Sequence, residues 1–247
     1  MIKENSLFGD FNYLSPISVM LLPVYTARIL THEKNRAIRL GKLMLVLFIS
    51  TTVGHSSAFL GVVIPILGFF LFKINKKQLF IALSIVGSVI IAFYIFLPQF
   101  KDVNASWRLF YWGVAIEKTV DTLLVGNGFG CPFINNEEIY NMIEVFGDDN
   151  DLLDSPEEKY IKAYHNSFIT LLFHMGIFIL LLAEPFVKSL LFLIKKNQNQ
   201  ENFFLVLSFL GMSTWCFFNV VLELPHSSLL YWLFFLLITN KLKHQKT

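Results

Sequence analysis

The sequence predicts an all-α, polytopic integral membrane protein with about seven transmembrane segments and one long extracytoplasmic loop. Of its 247 residues, 55% are hydrophobic and 15% are charged, and the mean hydropathy is +0.58. A water-soluble domain of this length could not bury so much apolar surface, so lipid is expected to be part of its solvent. In addition, the apolar residues form separate long runs, and the basic residues collect between those runs. These three observations define the fold class.

Seven apolar runs are candidates for membrane-spanning helices. A helix rises 1.5 Å per residue and needs about 20 apolar residues to cross a bilayer. The segment "TTVGHSSA" interrupts the second and third runs, and a polar break at membrane depth is tolerated only against protein or a watery cavity. The seven runs are 14–30, 43–53, 58–72, 79–97, 167–194, 203–222 and 226–239.

Basic clusters predict how these runs are arranged across the membrane. Four clusters hold 14 of the 20 Lys and Arg residues. If the second and third runs are separate passes, all four clusters fall on one side, which is then the cytoplasmic side. A single broken span would divide the clusters between the two sides, so separate passes are favoured. The clusters are 28–42, 73–77, 188–196 and 241–246.

The remaining feature is a polar insert of 68 residues, 98–165, which carries 12 acidic and 5 basic residues. It is too long for an ordinary connection, and the same charge rule predicts that it lies outside the cell. Residues 106–120 have helical apolar spacing, which predicts an amphipathic helix lying on the membrane. The predicted organisation is therefore four membrane helices in 1–97, a loop bearing the site in 98–165, and three membrane helices in 166–247.

The insert contains three groups that suit chemistry on a phosphate. Arg108 can hold phosphate through two parallel hydrogen bonds, and the glycines of "GNGFG", 126–130, leave backbone N–H groups accessible. His165, where an apolar helix begins, can accept a proton near neutral pH.

Each of these groups also has an ordinary interpretation. Arg108 could anchor a lipid headgroup, "GNGFG" could be a plain tight turn, and His165 could be an interfacial residue beside a helix cap. His174 and Glu184 lie inside an apolar run and are functional candidates by default, although Pro185 beside Glu184 suits a kink or a membrane edge.

The order of these motifs resembles the O-antigen ligase and polymerase superfamily. "SWR" opens the insert, "GNGFG" follows, and "HNS" with a later "LFHMGI" ends it. The segment 9–23, "GDFNYLSPISVMLLP", also looks like a family segment. The residues that match are Ser106, Trp107, Arg108, Trp112, Gly126, Gly128, Gly130, His165, Asn166, Ser167 and Gly176.

The resemblance implies a multi-pass glycosyltransferase of the bacterial cytoplasmic (inner) membrane. It would polymerise or ligate undecaprenyl-diphosphate-linked oligosaccharide units in surface polysaccharide biosynthesis, as O-antigen or capsule, with no metal and no cofactor. Arg108 would hold the diphosphate as it leaves, and His165 would orient or deprotonate the acceptor hydroxyl. Substrate contacts are expected from Ser106, Trp107, Gly126, Gly128, Gly130, Asn166, Ser167, His55 and Ser56.

Two features depart from the family pattern. In "HSSAFLG", 55–61, Ser56 stands where the family often has a second arginine, so one diphosphate contact is missing or His55 supplies a weaker donor. The family usually has ten or more membrane helices, so several N-terminal helices are expected to be absent. The chain would then be a truncated product, a half that works with a partner, or a compact variant. Expected partners are the bilayer, the lipid-linked donor, and a chain-length regulator or a separate N-terminal half, but no nucleic acid.

Two other functions compete with the transferase. One is a flippase or transporter of lipid-linked oligosaccharides, which would need charged residues along its spans, where this sequence has few. The other is an inactive, truncated remnant of the ligase or polymerase. The sequence does not separate polymerase from ligase, and it identifies neither the sugar and its linkage, the envelope type nor the oligomeric state.

Overall fold

A computed structural model describes residues 11–52, 56–73, 103–146, 163–194, 200–223 and 225–243. In these ranges the regular structure consists of nine α-helices and one 3₁₀ helix, with no strand. The predicted all-α class is therefore confirmed for the described part of the chain. The chain divides into two compact units, which we call the loop unit, Lys76–Leu181, and the bundle unit, Met1–Asn75 with Leu182–Thr247.

The bundle unit is held together where three helices cross at small residues. A Cβ atom on Gly61 would lie 2.6 Å from Cγ1 of Val19, and one on Gly211 would lie 2.4 Å from the Val19 carbonyl oxygen. Such residues let helix backbones approach closely. The Ser208 hydroxyl also donates to the Met20 carbonyl at 2.9 Å. The helices that the structure describes in this unit are α1 (Phe11–His32), α2 (Arg36–Thr52), α3 (Ser56–Lys73), α7 (Ala183–Ile194), α8 (Gln200–Cys216) and α9 (Pro225–Lys243).

The turn between α1 and α2 lies in the first basic cluster and is fixed by side chains. Asn35 caps α2, because its Oδ1 accepts from the N–H of Ala37 at 3.0 Å and of Ile38 at 3.3 Å. Lys42 Nζ lies 2.6 Å from Glu33 Oε2 across this turn. That hydrogen bond lowers the pKa of Glu33 and raises the pKa of Lys42.

Within residues 103–146 and 163–181, the loop unit contains α4 (Val103–Asp121), α5 (Asn136–Phe146), α6 (Ser167–Met175) and most of a 3₁₀ helix (Gly176–Leu182). Helix α5 begins with a reciprocal cap, in which the N–H of Glu138 donates to Asn135 Oδ1 at 2.8 Å and the N–H of Asn135 donates to Glu138 Oε2 at 2.6 Å. Lys118 Nζ lies 2.7 Å from Glu138 Oε2 and thereby ties α4 to α5. The core between the helices is aromatic and includes Tyr111, Phe133, Tyr164 and Phe173.

Most of the predicted helices are present. The runs 14–30, 43–53 and 58–72 fall on α1, α2 and α3, which are separate elements, and the amphipathic segment 106–120 is helical in α4. One run was predicted too long, because α8 stops at Cys216 before the end of 203–222. The run 167–194 is helical throughout but changes type: α6 ends at Gly176, whose φ is +56° and ψ is −136°, and the 3₁₀ helix and α7 follow without a gap. The run 79–97 lies outside the described residues.

In the part of the chain that the structure describes, one stretch is both long and apolar enough to cross a membrane. It is Ser167–Leu193, 27 residues, and 202–216 is a shorter apolar helix. The seven-span topology stays a prediction.

Candidate functional site

His165 lies two residues before the first residue of α6, in a conformation that non-glycine residues rarely adopt. Its φ is +51°. The next residue, Asn166, is the cap of α6, because its Oδ1 accepts from the N–H of Phe168 at 3.0 Å and of Ile169 at 3.2 Å. Helix capping therefore needs no histidine at position 165. A left-handed conformation costs about 1–3 kcal/mol and concentrates at functional sites, so His165 is a candidate for chemistry.

The imidazole of His165 contacts Trp107 at the start of α4. The two rings meet edge to face, with centroids 5.4 Å apart. The indole Nε1 of Trp107 is buried and has no hydrogen-bond partner among the described residues. Leaving a buried N–H unpaired costs about 1–3 kcal/mol, so this atom is a candidate donor to a bound molecule.

Arg108 and Ser106 flank Trp107 on the same turn of α4. Arg108 is partly exposed, and no acceptor within the described ranges pairs with its guanidinium. Ser106 is exposed. The first predicted motif thus contributes a cation, an indole with a buried N–H and a hydroxyl to one helical turn, and its indole is in contact with the predicted histidine.

The glycine loop, residues 126–130, lies at the opposite end of α6. The N–H of Asn127 donates to the Phe173 carbonyl at 2.7 Å, and the N–H of Gly128 donates to the His174 carbonyl at 3.0 Å. These bonds satisfy carbonyls that the last turn of a helix leaves unpaired. Helix α6 has nine residues, so at 1.5 Å per residue the loop is about 14 Å along the helix from His165. The structure therefore brings Trp107 and His165 together and sets the glycines apart from them.

At two positions in this region only glycine fits, because the backbone of the glycine loop and the backbone at the end of α6 lie in close contact. A Cβ on Gly126 would lie 2.5 Å from the Gly176 nitrogen, and a Cβ on Gly176 would lie 2.0 Å from the Leu124 carbonyl oxygen. Both residues also have positive φ, +94° and +56°. Gly126 donates its N–H to Thr122 Oγ1 at 3.2 Å. Since the N–H groups of Gly126 and Gly128 already have partners within the protein, substrate contact by these glycines, and by Gly130, stays a prediction, while Gly126 and Gly176 have a structural role.

His174 joins the glycine loop to α6. Its Nδ1 lies 2.8 Å from the Gly128 carbonyl oxygen, and because a carbonyl only accepts, Nδ1 carries the hydrogen. Its ring stacks on Phe129, with centroids 4.6 Å apart and planes 18° apart. The second functional candidate of the apolar run, Glu184, forms an ion pair with Lys188 at 2.5 Å on α7. Both His174 and Glu184 therefore have polar partners within the protein.

Four other residues were predicted to contact the substrate. Asn166 and Ser167 are buried, and Asn166 also caps α6. Ser56 is the first residue of α3 in the bundle unit, and His55 lies outside the described residues.

Sequence reasoning gave no role to two aromatic residues next to the histidine. Trp112 Nε1 donates to the Tyr164 carbonyl at 2.6 Å. Tyr164 is fully buried, and its hydroxyl donates to the Phe133 carbonyl at 2.5 Å. Burial raises the pKa of Tyr164 and of its neighbour Tyr111, so both phenols stay protonated. The signals in the sequence were that Tyr164 directly precedes "HNS" and that Trp112 is one of the residues that match the family pattern on the motif helix.

The described fold and site define an all-helical protein with a polar site at the start of an apolar stretch that is long enough to cross a membrane. A family model described as O-antigen ligase matches residues 40–183, which are 144 of the 247 residues. The chain belongs to this O-antigen ligase family. Membership makes it a membrane protein of polysaccharide biosynthesis with an activity of the ligase or polymerase type. No curated protein and no solved structure matches the chain.

Proposed function

We propose that the chain is a glycosyltransferase that polymerises or ligates undecaprenyl-diphosphate-linked oligosaccharide units at the outer face of the bacterial cytoplasmic membrane. The observation that carries this proposal is the contact between His165, in its left-handed conformation, and Trp107, whose buried N–H is unpaired. Both residues lie inside the matched region of the O-antigen ligase family. Arg108, on the same helical turn as Trp107, adds a permanent positive charge.

The proposed reaction is a single transfer at the anomeric carbon of the donor. The acceptor hydroxyl oxygen forms a bond to that carbon while the bond from the carbon to the diphosphate oxygen breaks. His165 takes the hydroxyl proton, so the imidazole enters the reaction neutral. Undecaprenyl diphosphate leaves with the bonding electrons, and the Arg108 guanidinium stabilises its growing negative charge through paired hydrogen bonds. No step requires a metal or a cofactor.

The residues around this pair are proposed as substrate contacts. The Trp107 N–H would donate to a sugar or phosphate oxygen, which would satisfy its unpaired hydrogen. Exposed Ser106 would contact the donor from the same turn. Asn166 uses Oδ1 to cap α6, so its contribution to the substrate would come from the amide NH₂ group. Ser167, His55 and Ser56 stay predicted contacts.

The test is a gel profile of surface glycans from a deletion strain. The strain is complemented with the intact chain, with Arg108→Ala or with His165→Ala. Matched controls are Arg36→Ala and His32→Ala, which change the same residue types at exposed positions of the bundle unit. Membrane levels of every variant are measured alongside.

We expect long polymer with the intact chain and both controls, and its loss with both site variants. Single repeats accumulating in the deletion strain would assign a polymerase, and unattached polymer would assign a ligase. A flippase should tolerate both site substitutions, so polymer in both would refute the transfer mechanism. An unchanged profile on deletion would indicate a remnant.

A further inference from the structure

We propose that Trp112 is a positioning residue that holds His165 in its left-handed conformation by fixing the peptide bond between Tyr164 and His165. The proposal rests on the proposed role of His165 in transfer. Its basis is the hydrogen bond of 2.6 Å that Trp112 Nε1 donates to the Tyr164 carbonyl. The two residues are 52 positions apart in the sequence. This carbonyl belongs to the peptide unit that precedes His165.

That peptide unit is held at both of its polar atoms. Trp112 holds the carbonyl, and the N–H of His165 donates to the Ala163 carbonyl at 2.8 Å. Because a peptide unit is planar, two hydrogen bonds on its opposite sides fix the orientation of the plane. The torsion φ of His165 is measured from this plane, so its value of +51° depends on how the plane is held.

The chain after His165 is fixed independently. Asn166 caps α6, and its own carbonyl accepts from the Thr170 N–H at 3.0 Å. His165 is therefore the one residue that joins a fixed peptide plane to a fixed helix, and its backbone has to adopt the conformation that connects them. Such over-determination by the surroundings is what keeps a strained residue in place.

Helix α4 controls both the backbone and the ring of His165. Trp112 holds the backbone through Tyr164, while Trp107, five residues earlier, contacts the imidazole edge to face. The Tyr164 side chain has separate anchors, since its ring lies 4.5 Å from that of Tyr111 and its hydroxyl donates to Phe133. Removing the Trp112 N–H alone should therefore leave Tyr164 buried and release only the peptide plane.

The test uses the purified full chain in detergent and does not depend on catalysis. Hydrogen–deuterium exchange at the imidazole C2 position, read by mass spectrometry, gives an exchange half-life and a titration midpoint for each histidine. We compare the wild type with Trp112→Phe and with benzothienylalanine at position 112, which replaces only the indole N–H by sulfur. The control is Trp232→Phe on α9, because Trp232 is also partly exposed and its Nε1 has no hydrogen-bond partner in the described parts of the chain.

We expect both variants at position 112 to change the His165 half-life by about three- to tenfold, the effect of losing one hydrogen bond. The half-life of His174 should stay within error in both, because its bond to Gly128 lies at the far end of α6. Trp232→Phe should change neither. Unchanged exchange at His165 would overturn the proposal, and so would equal changes at His165 and His174, which would mean that Trp112 supports the whole unit.

A glycan profile separates this proposal from the proposed function. If His165→Ala leaves the glycans unchanged while exchange at His165 still responds to Trp112→Phe, the positioning role stands and the transfer mechanism fails. If both proposals hold, Trp112→Phe should reduce polymer, and the benzothienyl variant should reduce it equally.

Discussion

The contact between Gly126 and Gly176 makes a quantitative prediction about the stability of the loop unit. We take Gly176→Ala as the perturbation and Gly128→Ala as its control. Both residues have positive φ, +56° and +76°, so both substitutions force an alanine into a strained backbone, at a cost of about 1–3 kcal/mol. With its ψ of −136°, Gly176 lies outside the left-handed helical region, in a conformation open to glycine rather than to alanine. The two positions differ in the room available for a side chain. A Cβ at Gly128 would have no neighbour within 4 Å, whereas one at Gly176 would lie 2.0 Å from a carbonyl oxygen.

The extra cost at Gly176 follows from what must move. The colliding oxygen of Leu124 is backbone, and the same oxygen accepts from the N–H of Ile177 at 2.7 Å. Separating these segments by an ångström or more would break that bond and strain the bond from Asn127 to Phe173. At about 1 kcal/mol for each, Gly176→Ala should lose about 2 kcal/mol more than Gly128→Ala. That is a large share of a typical stability of 5–15 kcal/mol.

Amide hydrogen exchange measures this difference where it arises. Peptides covering 122–130 and 167–177 should lose protection by about thirtyfold more in Gly176→Ala than in Gly128→Ala, which is 2 kcal/mol expressed as a ratio of opening constants. Peptides from α8 in the bundle unit report whether the rest of the chain is intact. Equal losses in the two variants would refute the reasoning, because backbone strain at a positive φ would then explain both without any steric clash at Gly176.

Three further predictions concern the site. Asn166→Ala should destabilise the loop unit by about 1 kcal/mol in thermal unfolding, while Asn166→Asp, which keeps the capping oxygen, should unfold like the wild type. Burial raises the folded-state pKa of Tyr164 above its unfolded value near 10, so the stability of the loop unit should be intact below about pH 10 and fall as the pH rises above it. Tyr164→Phe should flatten this alkaline decline, and an unaltered profile would contradict it. Transfer activity should fall in acid, because a protonated His165 cannot accept the hydroxyl proton; activity that is unchanged at about pH 5 would exclude the histidine as base.

Local sequence predicted the helices well because their signals are local. The apolar spacing of 106–120 predicted α4, and Asn or Ser beside His165 was recognised as a helix cap, which the structure assigns to Asn166. The change of helix type at Gly176 was missed because apolar residues continue on both sides of it, and hydropathy does not record a φ of +56°.

The arrangement of the site could not be predicted, because it depends on contacts between distant segments. Gly126 and Gly176 are 50 positions apart, and only the packing of the glycine loop against α6 makes each of them necessary. The same packing moved the glycines away from His165, although sequence order had grouped them in one phosphate-binding set. The left-handed backbone of His165 likewise results from bonds made by Trp112 and Asn166 on either side.

The position of the glycine loop at the foot of α6 affects how genetic data on this chain should be interpreted. Because α6 is a helix of nine residues with the glycine loop packed at its Gly176 end, we expect a shift at that end to displace His165 at the other. Under the proposed transfer mechanism, substitutions at Gly126 should then reduce transfer from about 14 Å away, whether or not this glycine contacts a substrate. A survey of inactivating mutations would therefore combine residues that act on the substrate with residues that hold α6 in place.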